Sequence, residues 1–245
     1  MIFCQFEDHN IVVDPSDLVG KTVLDKGNFD RLRTNIVSRR ASELTGRRTV
    51  LEVGANIGTQ TIYFLKSGLF DKVICLEPDP KNARALETNL LINRLEDQVV
   101  LLQVAAGAAP DTLRLKQEEG NSGAATLRAD KLPEKRITEI EVPVITLDSL
   151  IADGTLDCSG VGLLWVDTEG YEEEIFAGAS VLLSHKIPLA FELSPHFYSP
   201  QQSAQIIETI FSNYGDISIV DDNGFRKITR DDMVKLKTQT DIFCC

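Results

Sequence analysis

Short apolar runs bounded by polar turns recur along the chain, and most alternate with stretches whose apolar residues repeat every three or four positions. Ile2 to Phe6 and Ile11 to Val13 are two brief apolar segments around Asp8-His9-Asn10, the pattern of a small hairpin. With Asn28 as cap, the next segment reads as a helix with Leu32, Ile36 and Val37 on one face and most of its arginines on the other. Val50, Leu51 and Val53, then Val73 to Leu76, then Val99 to Val104 are nearly uninterrupted β-forming runs, as parallel strands covered on both faces require. Between them lie a helical stretch from Thr59 to Leu65 and a second helix with Ala83, Leu86, Leu90 and Leu91 as its apolar stripe. That second helix opens on Asp79 as cap and Pro80 at its first position.

The alternation breaks at Asp111 to Leu132, a polar, glycine-containing stretch in which Thr112-Leu-Arg-Leu suggests an edge strand and Gly120 to Thr126 reads as a flexible loop. Ile137 to Leu147 is extended again, and Asp148 is placed to cap a short helix. Gly162 to Val166 and Pro188 to Phe191 are further buried strands, joined by one helix carrying Ile175, Phe176, Ala179, Leu182 and Leu183. An amphipathic helix from Ser199 to Tyr214 stops at Gly215, and Ile217 to Asp221 with Phe225 to Ile228 flank Asp222-Asn223-Gly224, a strong hairpin signal. Strand, helix, strand, helix, strand predicts a doubly wound α/β sheet.

With 245 residues the chain is long enough for one large α/β domain, and we expect residues 46–245 to form it, with residues 1–45 as an N-terminal hairpin and helix extension. A net charge of −12 disfavours a nucleic-acid partner, because phosphates would meet a repulsive average field. The five cysteines show neither metal-ligand spacing nor a disulfide framework, which fits a reducing cytoplasm. Cys244-Cys245 lacks a C-terminal lipidation pattern and reads as an ordinary tail. No apolar run is long enough for a membrane span. Assembly into a homo-oligomer stays open.

Candidate chemistry starts at Thr49-Val-Leu-Glu-Val-Gly-Ala-Asn-Ile-Gly58, an apolar run that ends in a glycine turn. Gly54 and Gly58 let the backbone turn sharply and a ligand lie against it, and Asn56 tolerates positive φ. The helix start behind them offers free N–H groups to an anion. The dinucleotide fingerprint fails, since its second glycine would be Asn56 and its third Thr59, and no Gly-Lys-Ser/Thr follows for a P-loop. Glu77, roughly twenty residues on at the end of the second strand, has acceptor sites for both hydroxyls of a ribose. Asp167 and Glu192 also end strands, and ligands of open α/β sheets bind outside those carboxyl ends.

Val-Gly-Ala-Asn-Ile-Gly, Glu-Pro-Asp-Pro at 77–80, Gly-Asn-Ser-Gly at 120–123, Ile-Thr-Leu-Asp at 145–148 and Val-Asp-Thr-Glu-Gly at 166–170 occur in one order, and together they resemble the FkbM family of methyltransferases. The resemblance implies a Rossmann-like class I methyltransferase fold, with a mostly parallel seven-stranded sheet and a C-terminal antiparallel hairpin. It implies S-adenosyl-L-methionine as cofactor, with Glu52, Gly54, Asn56 and Gly58 around its methionine part, Glu77 at the ribose, and Ala105 and Ala106 near the adenine. The family's reactions are largely O-methylations of sugars or polyketide-type products, so the expected partner is a small hydroxylated acceptor. The motif that contains Asn121 and Ser122 makes them candidates for binding it. Where the commonest family pattern has Lys-Ile-Asp in the fourth strand this chain has Trp165-Val-Asp167, which speaks against an anionic substrate.

Methyl transfer to a hydroxyl needs in-line placement and removal of a proton. Asp167 and Glu169 are the natural bases, since neighbouring carboxylates raise one another's proton affinity. His196, past the fifth strand, is a further candidate. No metal site is expected, although Asp167, Glu169 and Glu192 could hold Mg²⁺ through oxygen. Two other readings compete: N-methylation of nucleic acid, which calls for an Asn/Asp-Pro-Pro-Tyr/Phe motif where this chain has Asp-Thr-Glu-Gly-Tyr, and a non-catalytic cofactor-binding module.

Overall fold

The structure, a computed structural model, describes residues 1–118, 121–127 and 137–245, with the backbone alone described at 118, 121–124 and 137. Strands β1 (Ile2–Gln5) and β2 (Asn10–Val13) pair antiparallel and are followed by helices α1 (Leu18–Lys26) and α2 (Arg31–Thr45). Then come β3 (Thr49–Val53), α3 (Thr59–Lys66), β4 (Lys72–Leu76), α4 (Pro80–Asn93) and β5 (Val99–Leu102). The middle of the chain holds β6 (Ala105–Ala106), β7 (Asp111–Glu118), β8 (Asn121–Thr126), β9 (Ile137–Ile145) and α5 (Leu147–Ala152). The remainder is β10 (Val161–Val166), α6 (Glu172–Ala177), α7 (Ser180–Ser184), β11 (Leu189–Leu193), α8 (Pro200–Asn213), β12 (Ile217–Asp221), β13 (Gly224–Lys227), α9 (Arg230–Val234) and β14 (Thr240–Cys244).

The main sheet has eight strands in the order β13-β12-β14-β11-β10-β3-β4-β5. Its five central and edge strands from β11 to β5 run parallel, and β14 and β12 complete it antiparallel. This is the expected mixed, mostly parallel sheet with antiparallel C-terminal strands, and the Asp222-Asn223-Gly224 turn does close a β12–β13 hairpin. One strand was not anticipated. The tail with Cys244 is β14, inserted between β11 and β12, and Cys244 is fully buried there.

A second sheet, β6-β9-β7-β8, stands beside the first. Asn121–Thr126, within the stretch read from its small polar residues as a loop, forms β8 as the sheet's outer strand, and β7 lies inside between β9 and β8 and not at an edge. Main-chain pairing, not side-chain pattern, makes β8 a strand.

Other differences have local causes. The N-terminal region has two helices: α1 starts at Asp17, whose carboxylate accepts from Val19 N, and α2 starts after Asp30, not Asn28. On α2 the buried positions are Thr34, Val37, Ser38 and Ala41, while Leu32 is 54% exposed; on α4, Leu91 likewise turns outward. The single helix expected after β10 is broken into α6 and α7 at Gly178, where a Cβ would lie 2.0 Å from the carbonyl oxygen of Gly107. Asp148 caps α7, its carboxylate accepting from Val181 N at 3.0 Å and from Ser180 Oγ at 2.7 Å, whereas Thr146 caps its own helix.

The core is two layers, one on each face of the main sheet. Among the described residues no helix is long and apolar enough to cross a membrane.

Candidate active site

The strands β3, β4, β10 and β11 all end at one side of the sheet, and there a cavity of about 410 Å³ opens. Its floor is the glycine turn. Gly54 sits at φ 89° with its Cβ position 1.9 Å from the carbonyl oxygen of Asp167, so only glycine lets the ends of β3 and β10 lie this close. Asn56 follows at φ 49°, and the N-terminus of α3 borders the cavity through Thr59 and Gln60. No side chain caps α3, whose cap residue is Gly58, so its first amides remain available to an anion.

Glu77 closes this wall. It is 5% exposed, its Oε2 accepts from Asn56 N at 2.7 Å and its Oε1 from Asp79 N at 2.9 Å. One carboxylate thus holds the glycine turn and the start of α4 together while facing the cavity, and Asn82 adds a side-chain hydrogen bond to it. Burial pushes its carboxyl up to about 7. Ala105 and Ala106, both buried, line the adjoining wall with Pro78 and Val104.

Opposite lies Asp167-Thr-Glu-Gly170. Asp167 lines the cavity, and burial, then Glu192 and Glu169, push its carboxyl well above the usual range. Glu169 has φ 47° and Gly170 φ 95°, two consecutive left-handed residues. A side-chain-bearing residue in that region costs roughly 1–2 kcal/mol, so the turn is held from outside. Glu172 is part of that hold: its Oε1 accepts from Thr168 Oγ1 at 3.0 Å and Gly170 N at 3.4 Å. Phe197 is another, because a Cβ on Gly170 would meet its ring at 2.5 Å. The carboxyl of Glu169 is pushed up to about 8, by burial first and then by Glu192 and Glu172.

Of the sequence candidates, Gly54, Asn56, Glu77, Ala105, Ala106, Asp167, Glu169 and His196 share the cavity wall. His196 stands exposed at the mouth in a 3-10 turn, its ring 4.3 Å from that of Phe197. Glu52 and Gly58 are not on the wall. Glu52 lies behind it, 1% exposed, with Thr61 Oγ1 donating to its Oε2 at 2.6 Å, and burial pushes it up to about 8. Gly58, at φ 87°, turns the chain into α3 against Leu86. The side chains of Asn121 and Ser122 lie outside the described residues. Trp165 packs edge-on to Phe64 at 5.5 Å, behind the sheet.

The remaining walls come in part from regions the sequence did point to, the N-terminal helices and the Asp111 to Leu132 segment, but from side chains it did not single out. Leu18 and Val19 of α1, Phe29 and Asp30 before α2, Leu115, Ala125 and Leu127 of the second sheet, and Gln239 before β14 all line the cavity. Gln239 Nε2 donates to Glu192 Oε2, and Glu192 in turn faces Asp241 across the β11–β14 pair, where Arg33 of α2 bridges Asp241 and Asp30. Only the acid at the end of β11 was signalled by its position; nothing in the sequence marks Phe29 or Gln239. Among the described residues no group of three or more histidine, cysteine, aspartate or glutamate side chains is arranged to hold a metal ion.

The cavity therefore joins a glycine turn, an uncapped helix start and the Glu77 carboxyl on one side to a set of buried carboxyls on the other. The Methyltransferase FkbM domain matches residues 52–218, more than half of the 245-residue chain. Among solved structures, an O-methyltransferase from Bacillus cereus in complex with S-adenosylhomocysteine is similar at a TM-score of 0.50 and 13% identity, covering 96% of this chain and 92% of that one. An O-methyltransferase from Streptomyces achromogenes involved in tomaymycin synthesis, in complex with S-adenosylmethionine, gives 0.47 and 12%, covering 86% of this chain and 78% of that one. A precorrin 8w decarboxylase from Methanobacterium thermoautotrophicum gives 0.43 and 13%, with 85% and 88% covered. No curated protein sequence matches the chain. At 13% identity the Bacillus cereus structure establishes the fold alone, and the domain match establishes the family: the chain belongs to the FkbM methyltransferases, enzymes dependent on S-adenosylmethionine.

Proposed function

We propose that this FkbM-family methyltransferase methylates a hydroxyl of a small acceptor of the sugar or secondary-metabolite type, with Glu169 as the base. The observation that carries the reading is the left-handed Glu169-Gly170 turn, which turns a carboxyl toward the cavity that Gly54, Asn56 and Glu77 also line. S-adenosylmethionine supplies a methyl group on a positively charged sulfur. The residues present fit it: the α3 amides and the Asn56 turn suit its carboxylate, Glu77 its ribose, and the Ala105-Ala106 wall, too small to obstruct, the flat adenine.

On this reading Asp167 stays close to the glycine turn and supports the cofactor's cationic end, while Glu169 takes the proton from the acceptor hydroxyl. A carboxyl raised to about 8 is well matched to proton transfer near neutral pH. Leu18, Phe29, Leu115 and Leu127 give the acceptor an apolar surround that excludes water. Glu192, held by Gln239 and by Ser194 Oγ at 3.1 Å, offers its remaining lone pairs to other acceptor hydroxyls.

The test is S-adenosylhomocysteine formation over a panel of sugars and polyketide-type alcohols. Wild type is expected to turn over at least one, and Glu169→Gln to lose about 10²–10⁴-fold in kcat with cofactor binding by calorimetry within about twofold. Turnover of amines but of no alcohol, or full activity in Glu169→Gln, would overturn the reading.

A further inference from the structure

The geometry points to Thr126 as a positioning residue that holds the Glu169 turn from the second sheet, so that the placement of the base depends on that sheet being docked. The inference rests on the reading of Glu169 as base, but its geometry stands apart from it. Thr126 ends β8, is 1% exposed, and its Oγ1 donates to the main-chain carbonyl oxygen of Glu169 at 2.8 Å, across 43 positions of sequence.

Supports of different kinds meet at this turn among the described residues. Phe197 and the Glu172 carboxylate come from elements that follow β10 and belong to the main sheet's layers. Thr126 comes from the other sheet. Its strand pairs with β7 at Lys116, its neighbours Ala125 and Leu127 line the cavity, and α1 of the N-terminal region packs on β8. The main-chain carbonyl of Glu169 is fixed in direction by the same left-handed backbone that points the side chain, so a donor on that oxygen fixes both. A hydroxyl on a β-branched residue, stiff at χ1 and locked in a paired strand, is suited to this task. Without it the residue is free to relax toward negative φ, which turns the carboxyl away from the cavity.

The second sheet therefore contributes more than a wall. Its outer strand reports, through one hydroxyl, whether the acceptor side of the cavity is assembled. Asn121 and Ser122 belong to the same strand, so an acceptor engaging β8 would steady the base by the same bond.

Hydrogen exchange of the 166–171 segment and ¹³C titration of the Glu169 carboxyl test this without an acceptor, in wild type, Thr126→Val and Thr126→Ser. Thr126→Val is expected to exchange about tenfold faster in that segment, the loss of one net hydrogen bond. It should also let the Glu169 carboxyl titrate lower, from about 8 toward the carboxylate range, as the side chain reaches water. Thr126→Ser is expected to restore both, with S-adenosylmethionine affinity within about twofold throughout. Unchanged exchange in Thr126→Val, failure of serine to rescue, or an equal loss of cofactor affinity would each overturn the inference. Should Thr126→Val not fold, Thr126→Ala is compared with Thr126→Ser in its place. Full activity in Glu169→Gln would remove the base reading while leaving these readouts to decide the role of Thr126.

Discussion

The two halves of the cavity are built in opposite ways. The half proposed for the cofactor is mostly local: within residues 54–82, the Glu77 carboxylate accepts from the amides of Asn56 and Asp79, and the Gly54 amide donates to the carbonyl of Leu76 at 2.9 Å, with Ala105 and Ala106 following a strand later. The half proposed for the acceptor is collected from five distant places, α1, the Phe29-Asp30 segment, the second sheet, the Glu169–Tyr171 turn and Gln239. The difference teaches where each kind of information resides. A half closed by short-range main-chain bonds writes itself as a motif, whereas a half assembled by tertiary packing leaves only scattered residues without a pattern.

The comparison predicts unequal responses to substitution. Glu77→Ala strips both amide contacts and the proposed ribose acceptor at once, and is expected to weaken S-adenosylmethionine binding by about 100-fold, roughly 2.7 kcal/mol, in a calorimetric titration. A loss of threefold or less would break the claim that one carboxylate organises this half. Gly54→Ala combines positive φ with a Cβ driven into the Asp167 carbonyl, and about 2–4 kcal/mol of stability should be lost in a urea melt. Because the clash is with the end of β10, the Glu169 turn should loosen too, which would sharpen the comparison by measuring how far the local half supports the assembled one.

The smallest effect is that of pH on the free protein. Burial raises Glu52 to about 8 and Glu172 to about 7 from an ordinary 4.5. An acid raised on folding binds more protons folded than unfolded, so stability is fullest below the unfolded value and falls as pH climbs through the window from about 4.5 to 8. Without cofactor, Tm should drop by several degrees between pH 5.5 and 8, at about 2–4 °C per kcal/mol for a chain of this size. Glu52→Gln should flatten that slope, and a Tm that rises across the window would contradict it.

Much of the fold was legible because the buried parallel strands are mostly apolar runs, and β3, β4, β10 and β11 carry glycine or an acid at or near their ends. Gly54, Asn56, Glu77, Asp167 and Glu169 were readable for that reason. Other features left weaker traces. The strand β8 is made of Asn, Ser, Gly, Ala and Thr, so its character comes from the hydrogen bonds of β7 and not from β-forming side chains. The break at Gly178 answers a carbonyl of Gly107, 71 positions away, which no local periodicity records. Leu32 appeared to belong to a buried face because its spacing fits Ile36, yet small residues, Thr34, Ser38 and Ala41, give α2 its close approach.

The position of β14 has a consequence for how the chain reaches this state. Its two sheet neighbours, β11 and β12, both precede it in sequence, and neither pairs with the other. As the chain emerges from the ribosome, both therefore present unpaired edges to each other across a strand-wide slot until β14 is made. During that interval the nascent protein has a complete cofactor turn and an open flank, and Gln239 and Asp241 are the residues whose arrival closes it.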